Sequence, residues 1–404
     1  MAATLKLGDK IWATQEGSLL AYNDENNNFK PLPFDFTRAS SATRVNKQGL
    51  IETVASGVPR IDFTDANGAL LLEPQRTNSL LQSNQFDTTW TIPSAGAILD
   101  DNQNGIYNTT DAWKLIQNTN TGYHYISQSV NLTGDYVYSI YAKKAEYEGI
   151  SFFMPNPTTG ASGLSSFNLT NGNFTADNHQ GTSENLGNGW YRISLKTKLS
   201  GSDSINTYVN QSTQQSETGN GTSGIYIQNA QLELGYATSY IPTQGSAVTR
   251  IAETCTGAGN DQVINSTEGV LYAEISALAD DGTKRYISLS DGTNNNDVRI
   301  YFDLSNNISV LSKVGGNTQV FLNTNLYTQT EFNKIAFKYK ENDFALWING
   351  VEVATDLSGV TNTTGTLNQL AFNGNLLPFY GKTKDLQVFT TALTDAELQA
   401  LTTI

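Results

Sequence analysis

Aromatic side chains set among polar ones are the residues through which this sequence could recognise a ligand. Tyr123, His124 and Tyr125 are consecutive, and extended backbone would place Tyr123 and Tyr125 on one face. Trp113, Tyr147, Tyr208 and Tyr226 lie in the same half of the chain, and Tyr301, Trp347 and Tyr380 in the C-terminal part. Such rings stack on the apolar face of a pyranose while Asn, Asp, Gln or Arg side chains hold its hydroxyls. The ordinary use of these rings in a β-protein is core packing or cross-strand pairing, so each is a candidate beside that plainer role.

Signals for catalysis are thin. His124 and His179 have no cysteine or histidine at metal-ligand spacing, and Cys255 has no motif supplying a base. Residues 219–224 fit G-x-G-x-x-G, yet a polar loop precedes them and a strand follows, whereas a phosphate cradle needs a strand before and a helix after. Gly381-Lys382-Thr383 matches only the end of a phosphate loop, because Leu376 stands where its first glycine must be. Glu146 and Glu148 flank Tyr147 at an expected strand end, and a solvated edge accounts for them. No cofactor is expected. A structural calcium ion is the one metal left open, at Asp280, Asp281 and Asp291, whose Asp-Gly and Asn-rich surroundings are also common turn chemistry.

The elements that must position these residues are strands. Of 404 residues only 15% are charged and 38% hydrophobic, with 34 glycines and few stretches of helical period. That profile reads as an all-β protein of more than one domain. A net charge of -14 leaves no basic stripe for nucleic acid. A single cysteine excludes an intrachain disulfide. No signal-peptide core opens the chain and no run of about 18 apolar residues occurs, so neither a leader nor a membrane span is expected.

In chain order, residues 1–33 read as an anchor or oligomerisation segment, with Ile11, Trp12, Leu19, Leu20 and Tyr22 as apolar patches, a polar loop at 23–28 and extended backbone at Pro31 and Pro33. Residues 34–83 carry Arg38, Arg44, Arg60 and Arg76 among short β-prone runs. Two tetrads, Asn46-Lys47-Gln48-Gly49 and Asp65-Ala66-Asn67-Gly68, predict consecutive hairpins closed by a type I turn with a bulge. These arginines are expected to form a structural knot, with Arg44, Arg60 and Arg76 mostly buried on backbone carbonyls or on Glu52, Asp62 or Glu73. Residues 84–250 read as one sandwich. Tyr136–Lys143 and Trp190–Lys198 alternate with period two, and a parity change in Ile225–Leu234 predicts a β-bulge near Gln228 and Asn229.

Residues 251–266 read as a linker and 267–404 as a second sandwich. Its marked strands are 270–277, 284–290, 298–304, 308–314, 334–340 and 344–349. Asn349-Gly350 predicts a two-residue hairpin, and Thr394 with Glu397 a capping box opening a short helix.

Three blocks, FTRASSATRVNKQGLIE, VPRIDF and LLLEPQRTN, followed by GNGWYRISLKTK and IQNAQLELGYATSYIPTQGSAVTRIAE, resemble recurrent segments of bacteriophage tail-fibre and other virion appendage proteins. That resemblance spans about 34–253 and implies a carbohydrate-binding-module-like β-sandwich. In the C-terminal part ALWINGVEVA, FYGKTKDLQVF and ALTDAELQAL resemble laminin-G-like, concanavalin A-like jelly rolls. Some jelly rolls are glycosidases, but no strand here bears their alternating acidic residues.

The expected protein is therefore non-catalytic: a virion fibre or appendage displaying glycan-binding modules for host adhesion. A purely structural decoration protein and a polysaccharide depolymerase stay open as alternatives. The resemblance implies a symmetric homo-oligomer, most often a trimer, although no heptad run specifies the number. Virion proteins would be contacted through the N-terminal segment and host glycans through the aromatics. Neither nucleic acid nor membrane is an expected partner. Synthesis would be cytoplasmic and the destination the virion.

Overall fold

Turn chemistry forms the hairpins expected from the sequence. In a computed structural model, which describes residues 2–20, 33–93, 96–106, 110–210, 216–374 and 377–404, Gly49 N–H donates to Asn46 O at 2.9 Å. Gly68 N–H likewise donates to Asp65 O at 2.9 Å. Gly49 and Gly68 have φ of 75° and 73°, the left-handed conformation that closes a type I turn with a bulge. Strands Ala42–Val45 and Ile51–Val54 form the first hairpin, and Arg60–Asp62 and Ala69–Leu72 the second. Tyr22, the 23–28 loop, Pro31 and Leu376 lie outside the described residues.

The chain divides into two units, Met1–Gln75 with Ile251–Ile404, and Arg76–Arg250. The second is thus an insertion within the sequence of the first.

In the unit Arg76–Arg250, one nine-stranded antiparallel sheet folds on itself. Its spine is two long strands, Tyr125–Lys144 and Trp190–Asn210, paired along their length. Ile126, Val130, Tyr138, Ile140 and Ala142 share one parity and one core, so both ends of the first long strand face inward. The Tyr138 hydroxyl meets that of Thr207 at 3.0 Å, and its ring lies 6.0 Å from Phe152, on the opposite layer. Between the layers Gly134 and Gly201 take φ of 134° and 128°, where a β-carbon would be strained. The expected bulge forms. Ser139 pairs with Gln231 and Tyr141 with Gln228, leaving Asn229 and Ala230 opposite one residue, with Asn229 at φ 54°.

The other unit is built around a jelly roll of two large sheets, with smaller sheets beside them. An eight-stranded sheet runs Val351–Asp356, Phe344–Ile348, Asn333–Lys340, Glu268–Ala277, Gly381–Phe389, Ala69–Leu72, Arg60–Asp62, and Leu5–Gly8 also pairs with Gly381–Phe389. A five-stranded sheet runs Asn317–Thr324, Ile308–Val314, Asp297–Phe302, Arg285–Ser290, Gln369–Ala371. Their inner faces share a core that includes Leu271, Ile275, Ile287, Ile300, Phe337 and Leu386. Asn349 and Gly350, at φ 50° and 83°, close the expected two-residue hairpin. The helix Asp395–Thr402 starts at the expected capping box, and Leu398 packs with Trp347 and Tyr272 on the outer face of the larger sheet.

The structure draws the boundaries differently from the composition. Leu5 and Leu7 sit in the jelly-roll core, so Leu5–Gly8 is a strand of that unit. The second arginine hairpin extends the eight-stranded sheet. The 251–266 stretch is no free linker. Thr254–Thr256 pairs with Phe34–Thr37, Ala258 bridges Leu370, and Ile264 is buried in the same core. Strand Arg76–Asn78 pairs with Val248–Arg250, so the inserted unit begins before residue 84.

Candidate functional site

The arginine knot is structural, and its centre is an acid the sequence reading missed. Glu253 accepts from Arg38 at 2.7 Å, from Arg60 at 2.8 and 2.5 Å, and from the Glu73 backbone N–H at 2.8 Å. Arg60 also reaches Glu73 at 2.8 Å and Thr43 O at 2.8 Å. Arg38 spends further donors on the carbonyls of Ser40, Ala55 and Val58. Burial of Arg60 opposes its charge, but Glu253 and Glu73 outweigh this and raise its pKa above the ordinary value. Arg44 pairs with Glu52 as expected, but nearer the surface, its side chain 25% exposed. Asp62 is no arginine partner, since it takes Lys382 at 3.2 Å and the Val45 N–H at 3.0 Å. Lys382 is accordingly tied down by that pair. Arg76 belongs to the inserted unit, half-buried with its guanidinium 4.4 Å from the Tyr236 ring centre.

In the inserted unit, strand register brings three candidate aromatics together. Tyr125 pairs with Tyr208 across the two long strands, and their rings lie 4.7 Å apart. Tyr123 meets Tyr208 edge-on at 6.4 Å and is 50% exposed. The buried Tyr208 is thus a floor, the half-buried Tyr125 a wall, and Tyr123 the ring offered to solvent. Between them in sequence, His124 is buried with its ring nitrogens against the Gly96 and Glu217 carbonyls, so it holds the backbone and not a ligand.

The other candidates are scattered. Trp113 is buried in the core with its indole N–H on Asn84 O at 2.7 Å, and cannot reach a ligand. Tyr147 is half-buried against that core, and Tyr226 is half-buried on its strand. In the jelly roll Trp347 is buried beneath the helix and Tyr380 packs half-buried against the core. The G-x-G-x-x-G segment is a turn in which the Asn220 carboxamide oxygen accepts from the Thr222 and Ser223 N–H groups.

Sequence spacing did not reveal one further surface. On the outer face of the five-stranded sheet a depression of about 340 Å³ is lined by Lys284, Tyr286, Arg299, Tyr301, Leu311 and Lys313, among others. Tyr286 pairs with Tyr301, their rings 4.8 Å apart, and the Arg299 guanidinium lies 4.8 Å from the Tyr286 ring centre. Only cross-strand register assembles these residues; Tyr301 alone among them carried a sequence signal.

The two glutamates flanking Tyr147 do not have the electrostatics of a general acid. Glu146 is exposed, and although partial burial opposes its charge, Lys114 and the Gly224 N–H outweigh this and lower its pKa. A hydrogen bond from Thr170 lowers that of Glu148, with Lys144 adding to it. Both are ionised carboxylates, whereas a glycosidase acid needs a raised pKa. His179 is buried between Ser165 and Met154 O, and burial lowers its pKa. Cys255 is buried, which raises its thiol pKa and leaves it unreactive. The calcium candidates are engaged as turn acceptors: Asp280 takes Gln329, Asp281 takes Thr283 N–H and Arg285, and Asp291 takes Thr293 and Asn296. Among the described residues no group of three potential metal ligands converges.

A family match agrees with the jelly-roll fold. Residues 260–399 match a family model described as the concanavalin A-like lectin/glucanases superfamily. No curated protein sequence matches the chain. Among solved structures it is similar to the CBM40 of a Ruminococcus gnavus IT-sialidase bound to α2,3-sialyllactose, at 20% identity over 36% of this chain and 93% of that one, with a TM-score of 0.31. It is also similar to domain 4 of a Geobacillus stearothermophilus GH43 extracellular arabinanase in complex with arabinotriose, at 16% identity over 42% and 82%, with a TM-score of 0.30. The LG4-5 domains of the mouse laminin α1 chain align at 10% identity over 69% and 90%, with a TM-score of 0.23.

Proposed function

We propose that this chain is a non-catalytic adhesive component of a bacteriophage virion, a fibre or appendage that holds host-surface glycans on exposed aromatic rings. The observation that carries the binding reading is the Tyr123–Tyr125–Tyr208 cluster. It presents a half-exposed ring braced by two others on rigid paired strands, the arrangement that stacking on a sugar face requires. The virion reading rests on the sequence blocks between residues 34 and 253 that resemble phage appendage proteins. The arginine knot built from those blocks is architectural, as a rigid display element needs. The non-catalytic reading is supported by two paired glutamates with lowered pKa and by the burial of both histidines and the cysteine.

In this reading the chain is made in the host cytoplasm and assembles on the particle as a homo-oligomer, a trimer by resemblance. Several copies would convert weak affinity per site into firm adhesion through effective concentration. A glycan array probed with the purified chain tests the binding half: retention on a restricted set of host-surface sugars is expected. Absence of binding to every sugar at millimolar concentration would leave a purely structural decoration protein. Incubation with host capsule tests the other half, because new reducing ends would establish a depolymerase. Light scattering measures the oligomer, and immunogold labelling of particles the location.

A further inference from the structure

We propose that the outer face of the five-stranded jelly-roll sheet is a second binding site, for a sugar residue bearing an anionic group. The proposal stands on the jelly roll alone and does not depend on the Tyr123 cluster.

The chain carries 38 acidic and 24 basic side chains, yet three cations converge on this depression. Lys284 and Lys313 make no ion pair with any carboxylate among the described residues. Two acids adjoin the site, and both take other donors, although one Asp297 oxygen has no partner among the described residues. Asp297 accepts from Arg299, while Asp303 accepts from the Ser305 and Asn307 N–H groups and from Ser309 Oγ at 3.1 Å. Lys313 stands opposite Asp297 in register without pairing to it. Burial and the neighbouring Arg299 hold the Lys313 pKa below its ordinary value. A bound anion would relieve that cost.

Shape and hydrogen bonding point the same way. Arg299 is 4% exposed, fixed by Asn294 at 2.6 Å and by Asp297, and its Nε–H has no acceptor among the described residues. It is therefore a pre-positioned donor. Tyr286 and Tyr301, only 6% and 7% exposed, form a rigid aromatic backing to the depression, and Leu311 stands beside Arg299. Aromatic rings match the apolar face of a pyranose and cations a carboxylate or sulfate on it. A site for a neutral sugar has no use for two unpaired lysines beside a buried arginine.

Calorimetric titration of the full chain tests this. The probes are oligogalacturonate, its carboxyl-reduced neutral counterpart of equal length, and a sulfated oligosaccharide. The expected result is binding of at least one anionic probe, about tenfold or more tighter than the neutral one. Raising the salt from 50 to 300 mM should weaken that binding. Lys313→Gln and Lys284→Gln should each weaken it by about tenfold, with an unchanged circular dichroism spectrum. A Tyr123→Ala, Tyr125→Ala double variant should bind the anionic probe as the parent does, which separates this site from the first. Equal affinity for anionic and neutral probes, no binding of either anionic probe, or parental affinity in the Lys313→Gln variant would overturn the proposal.

Discussion

Glu253 receives the guanidinium of Arg60 on both carboxylate oxygens, Nε at 2.8 Å and Nη2 at 2.5 Å, across 193 positions of sequence. Both side chains are inaccessible to solvent. The inserted unit leaves the chain after Gln75 and returns it at Ile251, two residues before Glu253. This pair therefore ties the returning strand to the first hairpins of the same unit.

Removing one partner strands a buried charge. Glu253→Gln should destabilise the Met1–Gln75 and Ile251–Ile404 unit by about 3–5 kcal/mol, because Arg38 and Arg60 lose their shared acceptor. Arg44→Ala should cost less than about 1 kcal/mol, since its pair with Glu52 lies at the surface. Urea denaturation of the two variants measures the contrast.

Asp385 gives stability a definite pH dependence. Burial pushes its pKa up to about 7, against the opposing help of Gln387 and Lys6, from an ordinary 3.8. Between those values the folded state holds more protons than the unfolded one, so this group's contribution to stability falls as pH rises from about 4 to 7. Asp385→Asn should remove that slope and gain on the parent progressively toward pH 8. Chemical denaturation at pH 5 and pH 8 checks it; a constant difference at both would contradict the assignment.

Asn229 sits at φ 54° in the bulge. Asn229→Val should destabilise the inserted unit by about 1–3 kcal/mol, because a β-branched residue is strained there. Asn229→Gly should be tolerated. Thermal melts of the two variants distinguish conformational strain from a lost side-chain contact.

The aromatic candidates separate by burial. Trp113→Ala should cost about 3–5 kcal/mol of stability by opening a core cavity. Tyr123→Ala should change stability by less than about 0.5 kcal/mol while weakening glycan binding. Melting curves beside array binding read both effects.

What was legible in the sequence was local. Gly49 and Gly68 as turn closers, Asn349-Gly350 as a hairpin, Thr394 with Glu397 as a cap and the parity change at Asn229 all follow from residues a few positions apart. What was not legible was long-range pairing. Nothing near Glu253 in sequence marks it as the acceptor for Arg38 and Arg60, and a polar Gly-bearing stretch around it reads as a linker. Leu5 and Leu7 look like a weak lead-in until Gly381–Phe389 is placed beside them. Residue type alone could not separate Trp113 and Trp347, which are buried, from Tyr123, which is exposed. Tyr286, Arg299 and Lys313 come from three different strands and converge only once register is fixed.

The central claim is that Tyr123, braced by Tyr125 and Tyr208, stacks on a host-surface sugar. Its most direct test is an NMR titration of the chain, with its tyrosines isotopically labelled, using the best ligand from the glycan array. The account predicts ring-proton shifts concentrated on Tyr123, Tyr125 and Tyr208, and their loss together with binding in Tyr123→Ala. Saturating binding that leaves these three rings unperturbed, or that persists at full affinity in Tyr123→Ala, would contradict it.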